Sequence, residues 1–282
     1  MSAILKAPLR FGLFTMAMLA CSPALAEAQA HYIANAGVMV VNSDVKVVFD
    51  PLFREDFGRY DLPPADMQQR LLAGEPPFDG IDAIFISHSH DDHVDPGLIL
   101  EFLQQNEQAQ LFAPESAVQA MRGVDAASTE AVSNQVNVVS THYDAAPVEL
   151  QIDGLHITAI NVPHAGWPGR HEHVENIAFS VTLDAETTVV HLGDADTRVE
   201  HFSRNGDFWR SQEHDLALPP FWFFLSEKGS AALADWVDAD HAIGVHVPSD
   251  MPDDPQNRPL EYQGFDLFTD PGETRQIGEG LR

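Results

Sequence analysis

Short apolar runs bounded by turn formers recur along the chain, and their period changes repeatedly between two and about 3.6 residues. Residues 36–41 and 45–50 read as a hairpin turning at Asn42-Ser43-Asp44. The loop at 51–64 is rich in turn formers. Residues 65–72 read as a short helix closed by Gly74-Glu75-Pro76-Pro77. The apolar run 81–87 predicts a strand, and Asp95 followed by Pro96 is a helix start, with Asp as N-cap and Pro at the first helical position. That helix runs through 98–103. A strand at 109–113, a helix at 115–121 and a strand at 136–140 follow. The second half predicts strands at 147–152, 155–162, 177–183 and 187–192, a helix at 197–203, a strand at 215–219, a helix at 228–236 and a strand at 241–247. Periodicity alone therefore defines a mixed α/β domain.

Between the strand at 81–87 and the helix after Asp95, residues 88–93 read His-Ser-His-Asp-Asp-His. Side chains two apart on an extended segment share a face, so His88 and His90 can aim at one point. Asp92 and His93 can serve a second point nearby. With 14 histidines in 282 residues, three within six positions is a poor product of chance. Imidazole nitrogen and carboxylate oxygen without thiolate suit Zn, Fe or Mn, and two such points make a two-metal hydrolytic centre.

The motif His88-x-His90-x-Asp92-His93 resembles the signature of the metallo-β-lactamase-fold hydrolase superfamily, which further along needs a lone His, an Asp after a strand and a late His. Val162-Pro163-His164, Leu192-Gly193-Asp194 and Gly244-Val245-His246 occur in that order, each ending an apolar run. The resemblance spans about residues 31–250. It implies an αββα sandwich of two mixed sheets with helices on the outer faces. It also implies that His88, His90 and His164 hold one divalent ion, that Asp92, His93 and His246 hold a second, and that Asp194 bridges them. A bridging carboxylate shares two oxygens between cations about 3.5–4 Å apart, and a hydroxide between them is a nucleophile near neutral pH. Asp92, beside that hydroxide, is the candidate catalytic residue that orients it and takes up a proton. No Gly-x-Ser-x-Gly elbow, catalytic thiol or phosphate-cradling glycine loop offers a rival mechanism.

Within the superfamily, β-lactamases generally carry Cys or Ser where Asp194 stands, which argues against antibiotic hydrolysis. A bridging Asp is typical of lactonases, thioesterases and phosphodiesterases. The segments His31–Gly37, Phe49-Asp50-Pro51-Leu52 and Asp270-Pro271-Gly272-Glu273 look similar to the ascorbate-6-phosphate lactonase-like group.

Residues 1–26 carry Lys6 and Arg10, no acid, an apolar stretch at 11–20 and then Ala24-Leu25-Ala26, the pattern of a cleaved signal peptide too short to span as a membrane helix. The expectation is a periplasmic or secreted protein whose residues 27–282 form one domain. Cys21 offers a lipoprotein alternative that Met18 fits poorly. It is the one cysteine in the chain, so neither a disulfide within the chain nor a thiolate ligand past residue 26 is available. Fifteen Lys and Arg against 43 Asp and Glu give a net charge of −28 with His neutral. Such a surface repels nucleic acid, and no basic stripe relieves it, so the expected partner is a small molecule.

Other residues carry weaker assignments. His171 and His173 lie in a Gly/Pro loop that can overhang the metals and contact substrate. Trp222, in the run Pro219-Pro220-Phe221-Trp222-Phe223-Phe224, either walls an apolar substrate pocket or packs in the core. Phe57, Tyr60 and Trp167 could add a second wall. Arg170 and Lys228 are candidate anion clamps, or ordinary surface charges. Asp50 either orients a metal-bound histidine or caps a turn, and His191 is either a donor to a metal ligand or a core residue. His142 and His241 read as structural. The function expected is an exported hydrolase cleaving an ester, lactone or amide with two divalent metals, with zinc favoured over Mn or Fe. The alternatives are a phosphodiesterase using the same binuclear site and a catalytically idle metal-binding scaffold.

Overall fold

A computed structural model describes residues 28–152 and 154–278; the expected signal peptide, with Cys21, lies outside the described residues. Valine-, isoleucine- and phenylalanine-rich runs buried on both faces become the inner strands of two mixed sheets. The first sheet is built from β1 (Ala28–Ala34), β2 (Gly37–Asn42), β3 (Val45–Phe49), β4 (Ala83–Phe85), β5 (Gln110–Pro114) and β6 (Val136–Val139), in chain order across the sheet. Strands β1 to β3 pair antiparallel and β3 to β6 parallel. The second sheet comprises β7 (Val148–Ile152), β8 (Leu155–Asn161), β9 (Ile177–Leu183), β10 (Thr187–His191), β11 (His214–Leu218) and β12 (Ala239–Ala242). Here β7 to β10 pair antiparallel and the last two additions are parallel. The late strand β13 (Thr274–Ile277) returns to pair antiparallel with β1 and closes the first sheet's other edge.

The sheets face each other across one apolar layer. Register places Phe49, Phe85 and Phe112 side by side on β3, β4 and β5, with ring centroids 5.2 Å apart at both steps. Phe179 of the opposing sheet meets Phe85 at 5.0 Å. This row of rings lies directly beneath the loops that leave β3 and β4, so those loops start from a rigid base.

Helices cover the outer faces. On the first sheet, α1 (Ala65–Ala73), α2 (Pro96–Gln105) and α3 (Glu115–Val124) bury Leu71, Leu98, Phe102, Leu103, Val118 and Met121, and α4 (Ala126–Ala131) follows α3. Asp95 caps α2 by accepting from the Leu98 amide, with Pro96 at the first position. On the second sheet, α5 (Val199–Ser203), α6 (Gly206–Ser211) and α7 (Glu227–Ala232) bury Phe202, Trp209 and Ala232. The result is the αββα sandwich that the resemblance implies. Among the described residues no helix is long and apolar enough to cross a membrane.

Four elements differ from expectation. Strand β1 is not visible in the apolar pattern, because Ala28 and Ala30 are small and Gln29 and His31 interrupt the run; they become strand residues only when β2 and β13 supply partners. Helices α4 and α6 are short and lie where the pattern predicts no element. The strand expected over 241–247 stops at Ala242. Beyond it Gly244 and Val245 make single bridges to Leu267 and Pro220, and His246 turns into the left-handed region at φ 59°. That turn releases the His246 side chain from the sheet and directs it to the centre described below.

Candidate metal centre

Four loops leaving strand ends on one edge of the sandwich deliver the polar residues. The loop after β4 carries His88, His90, Asp92 and His93; its turn is held by the His93 and Val94 amides donating to the His90 carbonyl, at 3.0 and 3.1 Å. The segment after β8 carries His164 and the one after β10 carries Asp194. These two pair with each other: the Ala165 amide donates to the Asp194 carbonyl and the Asp196 amide to the Pro163 carbonyl, both at 2.7 Å. His246 arrives last, with its amide donating to the Asn35 carbonyl at 2.8 Å.

The side chains form two convergent groups: His88, His90, His164 and Asp194 in one, Asp92, His93 and His246 in the other, with the ligand atoms of each group all within 4.8 Å of one another. His90 Nδ1 stands 3.1 Å from both His88 Nε2 and His164 Nε2. In the second group His246 Nε2 is 3.1 Å from Asp92 Oδ2. Asp194 joins the groups. Its Oδ2 lies 3.3 Å from His164 Nε2, while its Oδ1 lies 3.2 Å from His93 Nε2 and 3.4 Å from His246 Nε2.

Whether these residues suit a metal is answered by their unsatisfied atoms. His93 Nε2 and Asp194 Oδ1 are buried without a hydrogen-bond partner despite their proximity, because both point toward a common space rather than along a donor–acceptor line. Three of the histidines have their outward nitrogens engaged, His88 Nδ1 lying 2.9 Å from the Ser87 hydroxyl. His93 Nδ1 donates to Asp50 Oδ2 at 2.9 Å, and His164 Nδ1 donates to the Ala165 carbonyl at 2.9 Å. Donation from one ring nitrogen leaves the other facing inward, where it binds a cation once it carries no proton. The donor set is nitrogen and oxygen only, and it fits divalent cations of borderline hardness.

Electrostatics reinforce this. Burial holds His88 well below its usual pKa, helped by the charge of His93, and burial with His164 lowers His90 to about 4, so both present free lone pairs at neutral pH. For His93 burial is the largest influence and acts downward, but Asp194 and Asp50 outweigh it and hold the pKa well above the usual value. Burial likewise acts to raise Asp92 and Asp194. The surrounding histidines prevail, lowering Asp92 and holding Asp194 well below the usual range, so both stay carboxylates.

Several positioning residues were legible only in part or not at all. Asp50 accepts from the Ser87 amide at 2.7 Å and the Ser87 hydroxyl at 2.6 Å besides His93, so it orients a ligand rather than capping a turn. Asn176 was missed: its amide group donates to the carbonyls of Val162 and Leu192 and its oxygen accepts from the Asp194 amide, tying the ends of β8 and β10 together. Gly193, at φ +55°, is confined there by space, since a Cβ would lie 2.4 Å from Asn176 Oδ1 and 2.7 Å from Ser87 Cβ. Asn35, in the turn between β1 and β2, was also missed; its side chain donates to the Asp92 carbonyl at 2.9 Å. The turn-forming string Asn35-Ala36-Gly37 was the available signal.

His191 does not donate to a metal ligand. Its Nε2 donates to the Ala36 carbonyl at 2.9 Å, its Nδ1 accepts from the Gly193 amide at 3.2 Å, and its ring stacks on Phe49, so it is a core residue that joins the two sheets. His171 does reach the site, with its ring 4.4 Å from His164 and 5.2 Å from His90. His173 is exposed and lines a neighbouring cleft of 230 Å³ with Tyr143 and Trp167. The aromatic run divides: Phe221 and Phe223 are buried, whereas half-buried Trp222 packs 5.4 Å from the His246 ring and donates from Nε1 to the Ala195 carbonyl at 3.1 Å. Tyr60 also packs on His246, edge-on at 4.1 Å. Burial, opposed by Arg59 and aided by Asp194 and Asp92, pushes its phenol up to about 12, so the hydroxyl keeps its proton. Arg170 and Lys228 are exposed; Phe57 is 61% exposed, and Trp167 packs on Tyr143 and His201 away from the ligands.

This edge of two sheets, carrying a buried histidine and aspartate cage at its loop ends, is the plan of a metallohydrolase. Residues 29–207 match the β-lactamase superfamily domain, and the chain belongs to that family. Solved structures share its fold at low identity. Igni18, a metallohydrolase from Ignicoccus hospitalis, superposes with a TM-score of 0.57 at 14% identity, covering 90% of this chain and 100% of the other. The metallo-β-lactamase fold protein YhfI from Bacillus subtilis gives 0.55 at 14%, covering 88% and 98%. An isothiocyanate hydrolase from Delia radicum gut bacteria gives 0.53 at 16%, covering 88% and 99%. No protein of curated function matches the chain.

Proposed function

We propose that the protein is an exported hydrolase that uses two divalent metal ions to cleave an ester, lactone or amide bond in a small molecule. The observation that carries this reading is the placement of Asp194, whose two oxygens face different histidine groups within one buried cage. In that arrangement His88, His90 and His164 would hold one ion, Asp92, His93 and His246 the other, and Asp194 both. Ions bound there supply Lewis acidity and lower the pKa of water enough for attack near neutral pH.

The chain's own groups have distinct tasks. Asp92, buried and ionised, sits beside the space between the groups and takes up the proton released as water attacks. Asp50 holds the His93 ring in one tautomer, and Asn176 fixes the backbone from which Asp194 projects. Trp222, Tyr60 and His171 border the centre and form a mostly aromatic rim, which suits a substrate with an apolar portion. Of these rim residues Trp222 and Tyr60 carry no charge, which suits a neutral carbonyl compound. A lactone is the specific candidate suggested by the segments around Asp50 and 270–273. The export part of the reading is supported by the sequence of residues 1–26 alone.

The test is elemental analysis of the purified protein beside the His88→Ala/His90→Ala double variant, followed by a panel of acyl lactones, aryl esters and bis(p-nitrophenyl) phosphate. About two equivalents of Zn, Mn or Fe in the wild type, lost in the variant, with turnover of lactones or esters, is the expected result. Turnover of the phosphodiester alone would replace the carbonyl substrate, and two bound metals with no turnover of any compound would leave a scaffold.

A further inference from the structure

Tyr60 is a hydroxyl-bearing side chain whose ring packs against His246, and its position is constrained on both sides. The Arg59 carbonyl accepts from the amide and hydroxyl of Ser249, at 2.9 and 3.1 Å, three residues after His246, while the Tyr60 amide donates to the Asp56 carbonyl at 3.1 Å. The loop bearing Tyr60 is thereby tied to the segment bearing His246. The ring meets the His246 ring edge-on at 4.1 Å with an interplanar angle of 82°, closer than His171 comes to His164 (4.4 Å) or Trp222 to His246 (5.4 Å).

The hydroxyl itself has no hydrogen-bond partner among the described residues, although the residue is half-buried. A buried or half-buried tyrosine hydroxyl ordinarily finds one. A phenol carries its proton at neutral pH, so the hydroxyl is a donor on a ring packed against His246, with no acceptor among the described residues.

We propose that Tyr60 is a catalytic residue whose hydroxyl donates a hydrogen bond to the substrate oxygen that becomes negatively charged when water adds to the carbonyl carbon. In that step the water oxygen forms a bond to carbon, the C=O π pair moves to the carbonyl oxygen, and the water proton passes to Asp92. Tyr60 donates without losing its proton, and the hydrogen bond strengthens as charge grows on the oxygen. Trp222, also packed on His246 and with its own donor committed to the Ala195 carbonyl, supplies surface and no second donor. This inference rests on the hydrolase reading above.

The experiment compares metal-loaded full-length wild type with Tyr60→Phe, which keeps the ring and removes only the hydroxyl. Three quantities are read: metal content, kcat and KM on a hydrolysed ester or lactone, and the Kd of inorganic phosphate, a tetrahedral oxyanion, by calorimetry. Expected are unchanged metal content, kcat lower by at least about tenfold with KM nearly unchanged, and phosphate binding weaker by roughly tenfold. Phosphate affinity equal in the two proteins overturns the proposal whatever happens to kcat, because a change in ring packing alone could lower turnover. Absence of phosphate binding by the wild type overturns it as well. Weaker phosphate binding in Tyr60→Phe with no turnover of any ester or lactone by the wild type would sink the hydrolase reading and leave the donor in place. Full turnover and full phosphate affinity in Tyr60→Phe would do the reverse.

Discussion

His93 donates from Nδ1 to Asp50 Oδ2 at 2.9 Å, and its opposite nitrogen lies 3.2 Å from Asp194 Oδ1, so one imidazole spans two carboxylates that are both buried. Asp50 is further held by the Ser87 amide and hydroxyl, and it occupies a left-handed conformation at φ 41° at the end of β3. The orientation of one metal-binding ring is therefore set by a strand that contributes no ligand. Asp50→Ala would free that ring and leave the Ser87 amide without its acceptor. Metal affinity should fall roughly 10- to 100-fold, and stability by about 1–3 kcal/mol. Competition against a chelator and urea unfolding measure the two separately; unchanged metal affinity would remove Asp50 from the site.

Asp92 and Asp194 sit in the cage for different reasons, yet each should be indispensable. Asp92→Ala removes the group that takes up a proton, and Asp194→Ala removes the carboxylate common to both groups of histidines. Each variant should retain a native far-ultraviolet circular dichroism spectrum and lose turnover. Only Asp194→Ala should lower metal content at both positions. Activity preserved in both variants would be incompatible with the centre.

Binding of metal should release protons. In the metal-free protein His93 is held protonated by Asp194 and Asp50 despite burial, and a histidine ligand must be neutral. Metal titrations in buffers of different ionisation enthalpy should show net proton release at pH 7, and affinity should fall as pH decreases. Buffer-independent heats would show that His93 is already neutral.

His214 lies far from this chemistry and should govern acid stability instead. It is buried on β11 with Nδ1 donating to the Val237 carbonyl at 3.0 Å and Nε2 3.1 Å from the Ser180 hydroxyl. Burial lowers its pKa to about 4, from the usual 6.5. Below pH 6.5 the unfolded chain takes up the proton and the folded one does not, so stability falls as pH drops from 6.5 toward 4 and levels off beneath that. The span corresponds to about 3 kcal/mol. His214→Gln should flatten that part of the stability–pH curve with little change in turnover; an unaltered curve would assign the acid sensitivity to other histidines.

The fold was legible where pattern and burial coincide. The strands from 37 to 49 and from 155 to 191 carry continuous apolar residues because both of their faces are buried, between the other sheet on one side and helices on the other. Strand β1 was not legible, since alanines and polar residues at its start carry little hydrophobic signal and its pairing comes from β2 and the distant β13. The end of β12 was overextended because Ile243, Gly244 and Val245 are apolar through contacts outside the sheet ladder.

The amino-acid sequence by itself determined the cluster from His88 to His93, because adjacent residues on a tight turn cannot help being near one another, and it determined the acidity of the chain. Resemblance added His164, Asp194 and His246. Tertiary structure alone decided which carboxylate oxygen faces which imidazole, that Asp50 rather than His191 supports a ligand, that Asn35 and Asn176 brace the loops, and that Tyr60 and Trp222 pack on His246. Those relations join residues 18 to 186 positions apart, and no local pattern encodes them. They follow from the register of two sheets and from a single residue, His246, turning out of its strand into positive φ.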